Sequence, residues 1–330
     1  FQATAAACVD VNAVPIIVDV EPDTYCIDPK KVEEAITPRT KAIIPVHLYS
    51  SMADMDAIMD IAKRHNLFVI EDTAHQHGSF WKGKGAGAIG TLGSFSCQET
   101  KVLPSGEGGI VTTSDHDLFL KIYSLRNCGR LFKDGQGQHI QSGNYRITEF
   151  QAATLLAQFE TLEERTRLRD ERALYLNKRL GEIPGLTPMK RDPRVTRQDC
   201  YLYCFRYNKE HFKGAHRDAF NAALGKEVGL GLWTPYDPLN NCDIYQPHTK
   251  PRYHLSEQHW REIDPRRFSL PVCERASYEE AVTLFHWLLL EDEKGLDSIV
   301  DACAKIHENA EELLSIPVEP HHTIPGVEEK

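Results

Sequence analysis

The chain has 330 residues, of which 41% are hydrophobic and 26% are charged; this is globular composition with enough apolar material for about two domains. The net charge is −10 and no block of lysines and arginines stands out, which argues against a nucleic-acid surface. No apolar run reaches the roughly 18 residues of a membrane span, and no signal peptide is recognisable. The nine cysteines are odd in number and contain no CxxC pair. We therefore expect neither a disulfide framework nor a zinc site, and a reduced cytoplasmic protein.

Strand-like and helix-like segments alternate along the first part of the chain. Apolar runs predict strands, and apolar residues at helical spacing predict helices. The predicted elements are a strand at Val14–Val20, a helix at Pro29–Ala35, a strand at Ala42–Leu48, a helix at Met52–His65 and a strand at Leu67–Ile70, within the run Leu67–Asp72 that ends in two carboxylates. This alternation is typical of βαβ units and predicts an α/β fold with a mostly parallel sheet, whose ligands bind beyond the carboxyl ends of the strands.

The middle of the chain predicts a strand and two helices. The strand is Gly109–Thr113, and the first helix is Asp115–Arg126 with Ser114 as its cap. Thr148 and Gln151 form a capping box for a long helix that runs to about residue 180.

The proline- and charge-rich stretch Pro188–Arg197 predicts a domain boundary. We expect a large domain over residues 1–187 and a smaller α+β domain over residues 198–315. The clear elements of the second domain are a strand at Tyr201–Tyr207, the segment Ser269–Val272 and a helix at Asp297–Leu314. Residues 316–330 are predicted to be a disordered tail.

Asp72 and Lys101 form the most informative pair of residues. Asp72 closes a buried strand, and Lys101 lies in a polar turn between a short strand and a glycine cluster. Pyridoxal phosphate chemistry needs such a pair, because a lysine amine forms a Schiff base with the cofactor while a carboxylate keeps the pyridine nitrogen protonated. The alternative is structural: a polar exit from a parallel strand, and a solvated lysine.

The residues around this pair favour the cofactor interpretation. His75 is placed to reach the phenolic oxygen of a flat ring held by Asp72, although a histidine satisfied by the backbone is the alternative. Ser96 lies close enough to Lys101 in sequence for its hydroxyl to bind a phosphate. The turn Gly106–Gly109 allows close backbone approach.

A glycine motif at Gly85–Gly90 matches GxGxxG, the dinucleotide fingerprint. That fingerprint requires a strand before it and a helix after it, and neither flank fits. We therefore do not expect a nicotinamide or flavin cofactor.

Three ordered segments carry a family resemblance: EDTAHQHG at Glu71–Gly78, GSFSCQETKVLPSGEGG at Gly93–Gly109 and SGNYRITEFQAA at Ser142–Ala153. Together they resemble the DegT/DnrJ/EryC1/StrS family of pyridoxal-phosphate-dependent aminotransferases, which act on keto sugars and cyclitols. The resemblance implies the type I (aspartate aminotransferase-like) fold, pyridoxal 5′-phosphate as cofactor, and a homodimer with shared active sites. It also leads us to expect a phosphate-binding loop upstream of Phe1.

The resemblance also implies roles for individual residues. Lys101 would form the Schiff base and carry protons, and Asp72 would pair with the pyridine nitrogen. His75 would lie near the ring oxygen and Ser96 would touch the phosphate. Asn144 would reach the phosphate in the partner subunit.

A narrower resemblance concerns the substrate. Asn127–Arg130, His47 and Phe285–Leu290 are similar to glutamine-dependent inosose aminotransferases and aminohydroxybenzoate synthases. His47, Tyr49 and Arg130 are therefore predicted to contact substrate, with a surface role as the alternative for Arg130. The expected activity is ping-pong transfer of an amino group from glutamate or glutamine to a keto sugar or keto-cyclitol. The alternatives are a dehydrase with the same cofactor, and a non-catalytic sensor or degenerate subunit.

Overall fold

The computed structural model describes residues 1–249 and 255–318, and the structural statements below concern these residues. They form two compact units that interleave along the chain. The first unit contains residues 1–37, 171–190 and the described residues from 202 onward, and the second contains residues 38–170 and 191–201. The sequence instead predicted one boundary between residues 187 and 198, and its domain assignment stays a prediction. Most of the predicted tail, residues 319–330, lies outside the described residues.

The helices of the described residues are mostly capped by side chains. Asp28, Asp54 and Asp115 each accept a backbone N–H in the first turn of the helix that follows. The helices are α1 Gln2–Asp10, α2 Pro29–Ala35, α3 Met55–His65, α4 His116–Arg126, α5 Glu149–Leu180, α6 Arg217–Val228, α7 Glu257–Ile263, α8 Pro271–Arg275 and α9 Glu293–Glu308. Within the described part of the chain, no helix is long and apolar enough to cross a membrane.

The strands pair into three small sheets. They are β1 Ala42–Ile43, β2 Phe68–Asp72, β3 Phe80–Trp81, β4 Lys84–Gly85, β5 Leu92–Ser96, β6 Gly109–Thr112, β7 Leu186–Pro188, β8 Val195–Arg197, β9 Leu202–Tyr207 and β10 Ala281–Phe285.

The second unit is built on a four-stranded sheet of order β1-β2-β5-β6. β1 pairs with β2 and β2 with β5 in parallel, whereas β6 is antiparallel to β5. A separate antiparallel sheet of order β4-β3-β8 also lies in this unit. The parallel pairs bring the carboxyl ends of β2 and β5, at Asp72 and Ser96, to the same edge of the sheet.

The first unit is built on the antiparallel sheet β10-β9-β7. The burial pattern of β9 is nearly continuous, since five of its six residues are buried. Tyr207, Phe212 and Phe220 pack together, with ring centroids 4.6 to 5.3 Å apart. Aromatic and aliphatic side chains of this kind account for most of the apolar area buried in a core.

Several predicted boundaries are wrong. The predicted strand Val14–Val20 forms only one bridge, from Val20 to Ile27, and Ala42–Leu48 is a strand only at its first two residues. A short apolar run forms a β-strand only where its backbone is hydrogen-bonded to a neighbouring strand, and the sequence of the run alone does not show where that occurs. The cap of α4 is Asp115 and not Ser114.

The C-terminal elements also differ from the prediction. The segment around Pro271 opens the short helix α8, and α9 spans Glu293–Glu308. It starts earlier and ends earlier than Asp297–Leu314. The capping box of α5 is confirmed, because the backbone N–H of Gln151 donates to Oγ1 of Thr148 and the N–H of Thr148 donates to Oε1 of Gln151.

Candidate active site

Asp72 lies at the carboxyl end of β2, and its backbone is held on one side by the segment after β1. Its N–H donates to the carbonyl of Pro45 at 2.9 Å, and its carbonyl accepts the N–H of His47 at 3.0 Å. Oδ1 of its side chain accepts the N–H of Ala74 at 3.1 Å. The two backbone bonds fix the main chain at Asp72, and the bond from Ala74 orients the carboxylate.

Glu71, the residue before Asp72, is fully buried. Its Oε1 accepts the N–H groups of Ile89 and Gly90 at 2.7 and 2.6 Å. Its Oε2 accepts the N–H of Gly87 at 2.9 Å and lies 3.2 Å from Nε2 of His47. Burial by itself would raise the pKa of Glu71, but the hydrogen bond from His47 and those from the backbone N–H groups lower it.

The glycine motif Gly85–Gly90 is thus occupied by a side chain of the same chain. N–H groups that bind a pyrophosphate in a dinucleotide site here bind the Glu71 carboxylate. Two glycines at this loop have no room for a side chain: a Cβ on Gly93, in β5, would lie 2.2 Å from the carbonyl oxygen of Gly87, and a Cβ on Gly87 would lie 2.5 Å from the ring of Phe95. This packing, together with the unsuitable flanks, accounts for the motif without a nucleotide.

Successive residues of a strand face opposite sides of the sheet. The Glu71 side chain therefore leaves β2 on the side of the glycine loop, and the Asp72 side chain leaves it on the other side. The sequence motifs assigned no role to Glu71. The alternation of side-chain direction along β2 was the sequence signal that could have separated the role of Glu71 from that of Asp72.

Lys101 lies in the loop after β5, where its backbone N–H donates to the carbonyl of Gln98 at 2.9 Å. Burial lowers the pKa of its amine to about 8, and the nearby carboxylate of Asp72 partly opposes this shift. Its Nζ lies 4.0 Å from the ring centroid of Tyr201. A lysine with this pKa has a substantial neutral fraction near physiological pH, which nucleophilic attack and proton abstraction both require.

His75 is 4% exposed and its protonation is determined by its surroundings. Its Nδ1 accepts the backbone N–H of Tyr49 at 3.1 Å, so Nε2 carries the ring hydrogen. Burial and the charge of Lys101 lower its pKa well below the usual value. His75 is therefore a neutral imidazole whose Nε2–H is a hydrogen-bond donor.

Ser96 ends β5 and is linked to a second buried histidine. Nε2 of His77 donates to the carbonyl of Ser96 at 2.8 Å, and burial lowers the pKa of His77 to about 4. Oγ of Ser96 accepts the N–H of Gln98 at 3.4 Å, an arrangement in which its O–H remains a donor. His77 is a buried residue of this region to which the sequence assigned no role.

The residues predicted to contact substrate lie in different settings. His47 is fully buried, with Nδ1 accepting the N–H of Ala53 at 3.1 Å and Nε2 directed at Glu71. Tyr49 is 4% exposed and has a positive φ of 54°. Both ring nitrogens of His47 thus have protein partners, and its contact with substrate stays a prediction.

Asn144 and Arg130 lie on the exposed segment after α4. Asn144 pairs with Asn127 in a bridge, and its Oδ1 accepts the N–H of Arg146 at 3.2 Å. The N–H of Arg130 donates to the carbonyl of Asn127 at 3.1 Å. Their predicted roles toward phosphate and substrate stay predictions.

The residues that are brought together fit pyridoxal phosphate. The cofactor requires a nucleophilic amine and a carboxylate for its pyridine nitrogen, and Lys101 and Asp72, both in the second unit, would supply them. Thr73 Oγ1 and His77 Nδ1 are buried, and neither has a hydrogen-bond partner among the described residues. These two atoms could therefore form hydrogen bonds to a bound ligand. These features, on a parallel sheet edge, are those of the type I class of pyridoxal-phosphate-dependent transferases.

Comparison with known proteins agrees with this class. The model of the DegT/DnrJ/EryC1/StrS aminotransferase family matches residues 1–288, and the chain belongs to this family of pyridoxal-phosphate-dependent aminotransferases. The predicted family, fold class and transaminase activity are thereby confirmed.

Individual relatives narrow the comparison. The chain is 40% identical over 317 residues to a putative L-glutamine:3-amino-2,3-dideoxy-scyllo-inosose aminotransferase of Streptoalloteichus tenebrarius, covering 95% of this chain and 76% of the relative. It is 38% identical over 323 residues to an L-glutamine:scyllo-inosose aminotransferase of Streptomyces griseus, with the same coverage. Among solved structures, 3-amino-5-hydroxybenzoic acid synthase superposes with a TM-score of 0.79 at 32% identity, covering 94% of this chain and 78% of that chain.

Proposed function

We propose that this aminotransferase binds pyridoxal phosphate through Lys101 and transfers an amino group from L-glutamine to a keto-cyclitol. The observation that carries the proposal is the partly buried Lys101 amine near the carboxylate of Asp72: burial lowers the pKa of the amine to about 8, although the carboxylate partly opposes this shift. An exposed lysine would be protonated at neutral pH and could serve neither as nucleophile nor as base.

The choice of substrates rests on the relatives. The relatives from Streptoalloteichus tenebrarius and Streptomyces griseus are both named as L-glutamine-dependent aminotransferases of inososes, at about 40% identity over nearly the whole chain. An inosose is a cyclic polyol ketone, so we assign a keto-cyclitol as acceptor and glutamine as donor. The same relatives favour this assignment over the broader alternative of a keto sugar.

The residues of the site have distinct tasks in this proposal. When bound, pyridoxal phosphate supplies an electron sink for cleavage of the bond between hydrogen and the amine-bearing carbon. Lys101 takes and returns the proton at Nζ. The Asp72 carboxylate binds the protonated ring nitrogen, with a charge-assisted hydrogen bond of about 1.5–3 kcal/mol. His75 donates from Nε2 to the phenolic oxygen, and Ser96 donates to the phosphate.

We also propose that the active enzyme is a homodimer in which Asn144 serves the site of the partner subunit. The start of α5 and the segment before it expose large apolar side chains: Tyr145 is 72%, Phe150 87%, Leu156 70% and Phe159 52% exposed. Several large apolar side chains exposed within one segment of the chain indicate an interaction site. A second copy that covers it would also come close to Asn144, which lies next to Tyr145 in the chain.

We place the enzyme in the cytoplasm on the basis of its cysteines. All nine are free thiols. Burial raises the pKa of Cys200 and Cys204, so these thiols are unreactive. A protein whose cysteines are free thiols does not depend on an oxidising compartment for its fold.

The test is amino transfer by the full-length protein supplied with pyridoxal phosphate, L-glutamine and scyllo-inosose. We expect the aminocyclitol to form in the wild type and in Lys84→Ala, which removes an exposed lysine of the same unit, and not in Lys101→Ala. If Lys101→Ala retains transfer, the role of the lysine is refuted. If no keto-cyclitol of a panel is aminated while keto sugars are, the substrate assignment is refuted.

A further inference from the structure

Tyr201 is the residue beside Lys101 that neither the sequence motifs nor the relatives assign to the site. It is 4% exposed and lies a hundred positions further along the chain, at the end of the segment 191–201 that returns to the second unit. Its ring centroid is 4.0 Å from Nζ of Lys101 and 4.4 Å from the ring centroid of His75. The ring therefore contacts two residues of the proposed site at once.

The hydroxyl of Tyr201 is tied to the residue before Lys101. Oγ1 of Thr100 and the phenolic oxygen are 2.7 Å apart and share a hydrogen bond. Burial raises the pKa of Tyr201, so the phenol stays neutral. One end of the side chain is thus anchored to the loop that carries the lysine, and its ring face meets the amine.

The backbone before Tyr201 is anchored by buried polar groups. The N–H of Asp199 donates to Oγ of Ser79 at 2.7 Å, and Oδ1 of Asp199 accepts Nε of Arg169 at 2.7 Å. Asp199 and Arg169 are 0% and 1% exposed. Because this buried ion pair fixes the backbone two residues before Tyr201, the Tyr201 side chain has little freedom to move away from Lys101.

We propose that Tyr201 is a positioning residue whose ring face stabilises the Lys101 ammonium formed during amino transfer. The inference rests on the proposed function, since it assumes that Nζ is the base. The proton leaves the amine-bearing carbon, is held on Nζ as ammonium, and passes to the acceptor carbon, so Nζ ends neutral. A cation within about 6 Å of an aromatic centroid is attracted by the electron-rich ring face.

Other groups also influence the amine. Asp72 favours its charged form, whereas the histidines His75 and His77 are buried and neutral. Because these groups stay in place when only the ring is altered, a graded change of the ring isolates the contribution of Tyr201.

The experiment replaces Tyr201 by phenylalanine and then by mono-, di- and trifluorophenylalanine in the full-length chain. Fluorination keeps the ring shape while it removes negative potential from the face. The pKa of Lys101 is measured in the cofactor-free protein from the pH dependence of its acetylation by acetic anhydride, read by peptide mass spectrometry. Lys84, which is exposed, serves as control in the same digest.

We expect Tyr201→Phe to leave the pKa of Lys101 within about 0.3 units of the wild type, because the ring remains. The fluorinated series should lower it stepwise by roughly 0.5–1 unit in total, with Lys84 unchanged. In the protein loaded with pyridoxal phosphate, kcat should fall in the same order while KM for glutamine is unchanged.

A constant pKa across the series refutes the ring–ammonium contact. A falling pKa with constant kcat refutes its part in the reaction. Failure of the proposed function is separate from both results, because it would show as absence of amino transfer in the wild type. Circular dichroism of each variant reports whether it is folded, and the isosteric series keeps the packing around Tyr201 close to native.

Discussion

Replacement of Glu71 by glutamine tests whether the glycine loop exists to bind a carboxylate. In the native protein two oxygens accept four hydrogen bonds, from Ile89, Gly90, Gly87 and His47. Glutamine keeps the shape of the side chain but offers one acceptor oxygen and one NH2 donor. In either orientation of the amide, two donors of the protein would face the NH2 group.

The cost follows from this geometry. The better orientation places the remaining oxygen at Ile89 and Gly90, and leaves the N–H of Gly87 and Nε2 of His47 facing a donor. His47 cannot adapt by moving its proton, because its Nδ1 already accepts the N–H of Ala53 at 3.1 Å. A buried donor without a partner costs about 1–3 kcal/mol. Two such donors lead us to expect that Glu71→Gln lowers the free energy of unfolding by about 2–6 kcal/mol.

Equilibrium unfolding in urea at pH 7, followed by circular dichroism, measures this loss. The matched control is Glu163→Gln, which removes a carboxylate 86% exposed in its ion pair with Arg197 at 3.2 Å and should cost no more than about 1 kcal/mol. A loss at Glu71 equal to that of the control would refute the reasoning.

The pH dependence gives a second check on Glu71. Its pKa in the folded protein lies below the ordinary value of 4.5. The stability contributed by the carboxylate is therefore complete above about pH 4.5 and is lost as pH falls through the folded pKa. The difference between wild type and Glu71→Gln should shrink in that acidic range and stay constant above it.

Three further predictions follow from the structure. Gly93→Ala should destabilise the protein by about 1–3 kcal/mol or more, since its Cβ would lie 2.2 Å from the carbonyl oxygen of Gly87, whereas Gly85→Ala meets nothing within 4 Å and should change the urea midpoint little. The kcat for amino transfer should rise with pH with a midpoint near 8, because the Lys101 amine is free once glutamine is bound and must lose its proton to act as base; a profile flat from pH 6 to 9 would contradict this. Phe150→Glu, at a side chain 87% exposed, should convert the proposed dimer to monomer in analytical ultracentrifugation, and an unchanged mass would contradict the proposed interface.

Local sequence patterns predicted the elements that surround the site. The alternation of strands and helices, the capping box at Thr148 and the apolar run that ends at Asp72 depend on neighbouring residues, and the structure contains them. Val14–Val20 failed as a strand because an apolar run becomes one only where a partner strand pairs with it.

The contacts between distant segments could not be predicted. Tyr201 reaches Lys101 from a hundred residues away, and the pattern of its own segment predicted only a strand. The carboxylate of Glu71 occupies a glycine motif that normally indicates a nucleotide, and only the folded loop shows where its N–H groups point. For the Asp72–Lys101 pair the residue types alone left a structural alternative open, and the family resemblance of the surrounding motifs favoured the cofactor interpretation; the roles of the two residues stay a prediction.

The central claim is that Lys101 is the lysine that binds pyridoxal phosphate. It is tested most directly by adding the cofactor to the full-length protein, reducing with borohydride and locating the attached pyridoxyl group by peptide mass spectrometry. We expect a single modified peptide that contains Lys101, and we expect this modified peptide to disappear when an excess of L-glutamine is added before reduction. A pyridoxyl group on another lysine, or label spread over the exposed lysines with none at Lys101, would contradict it.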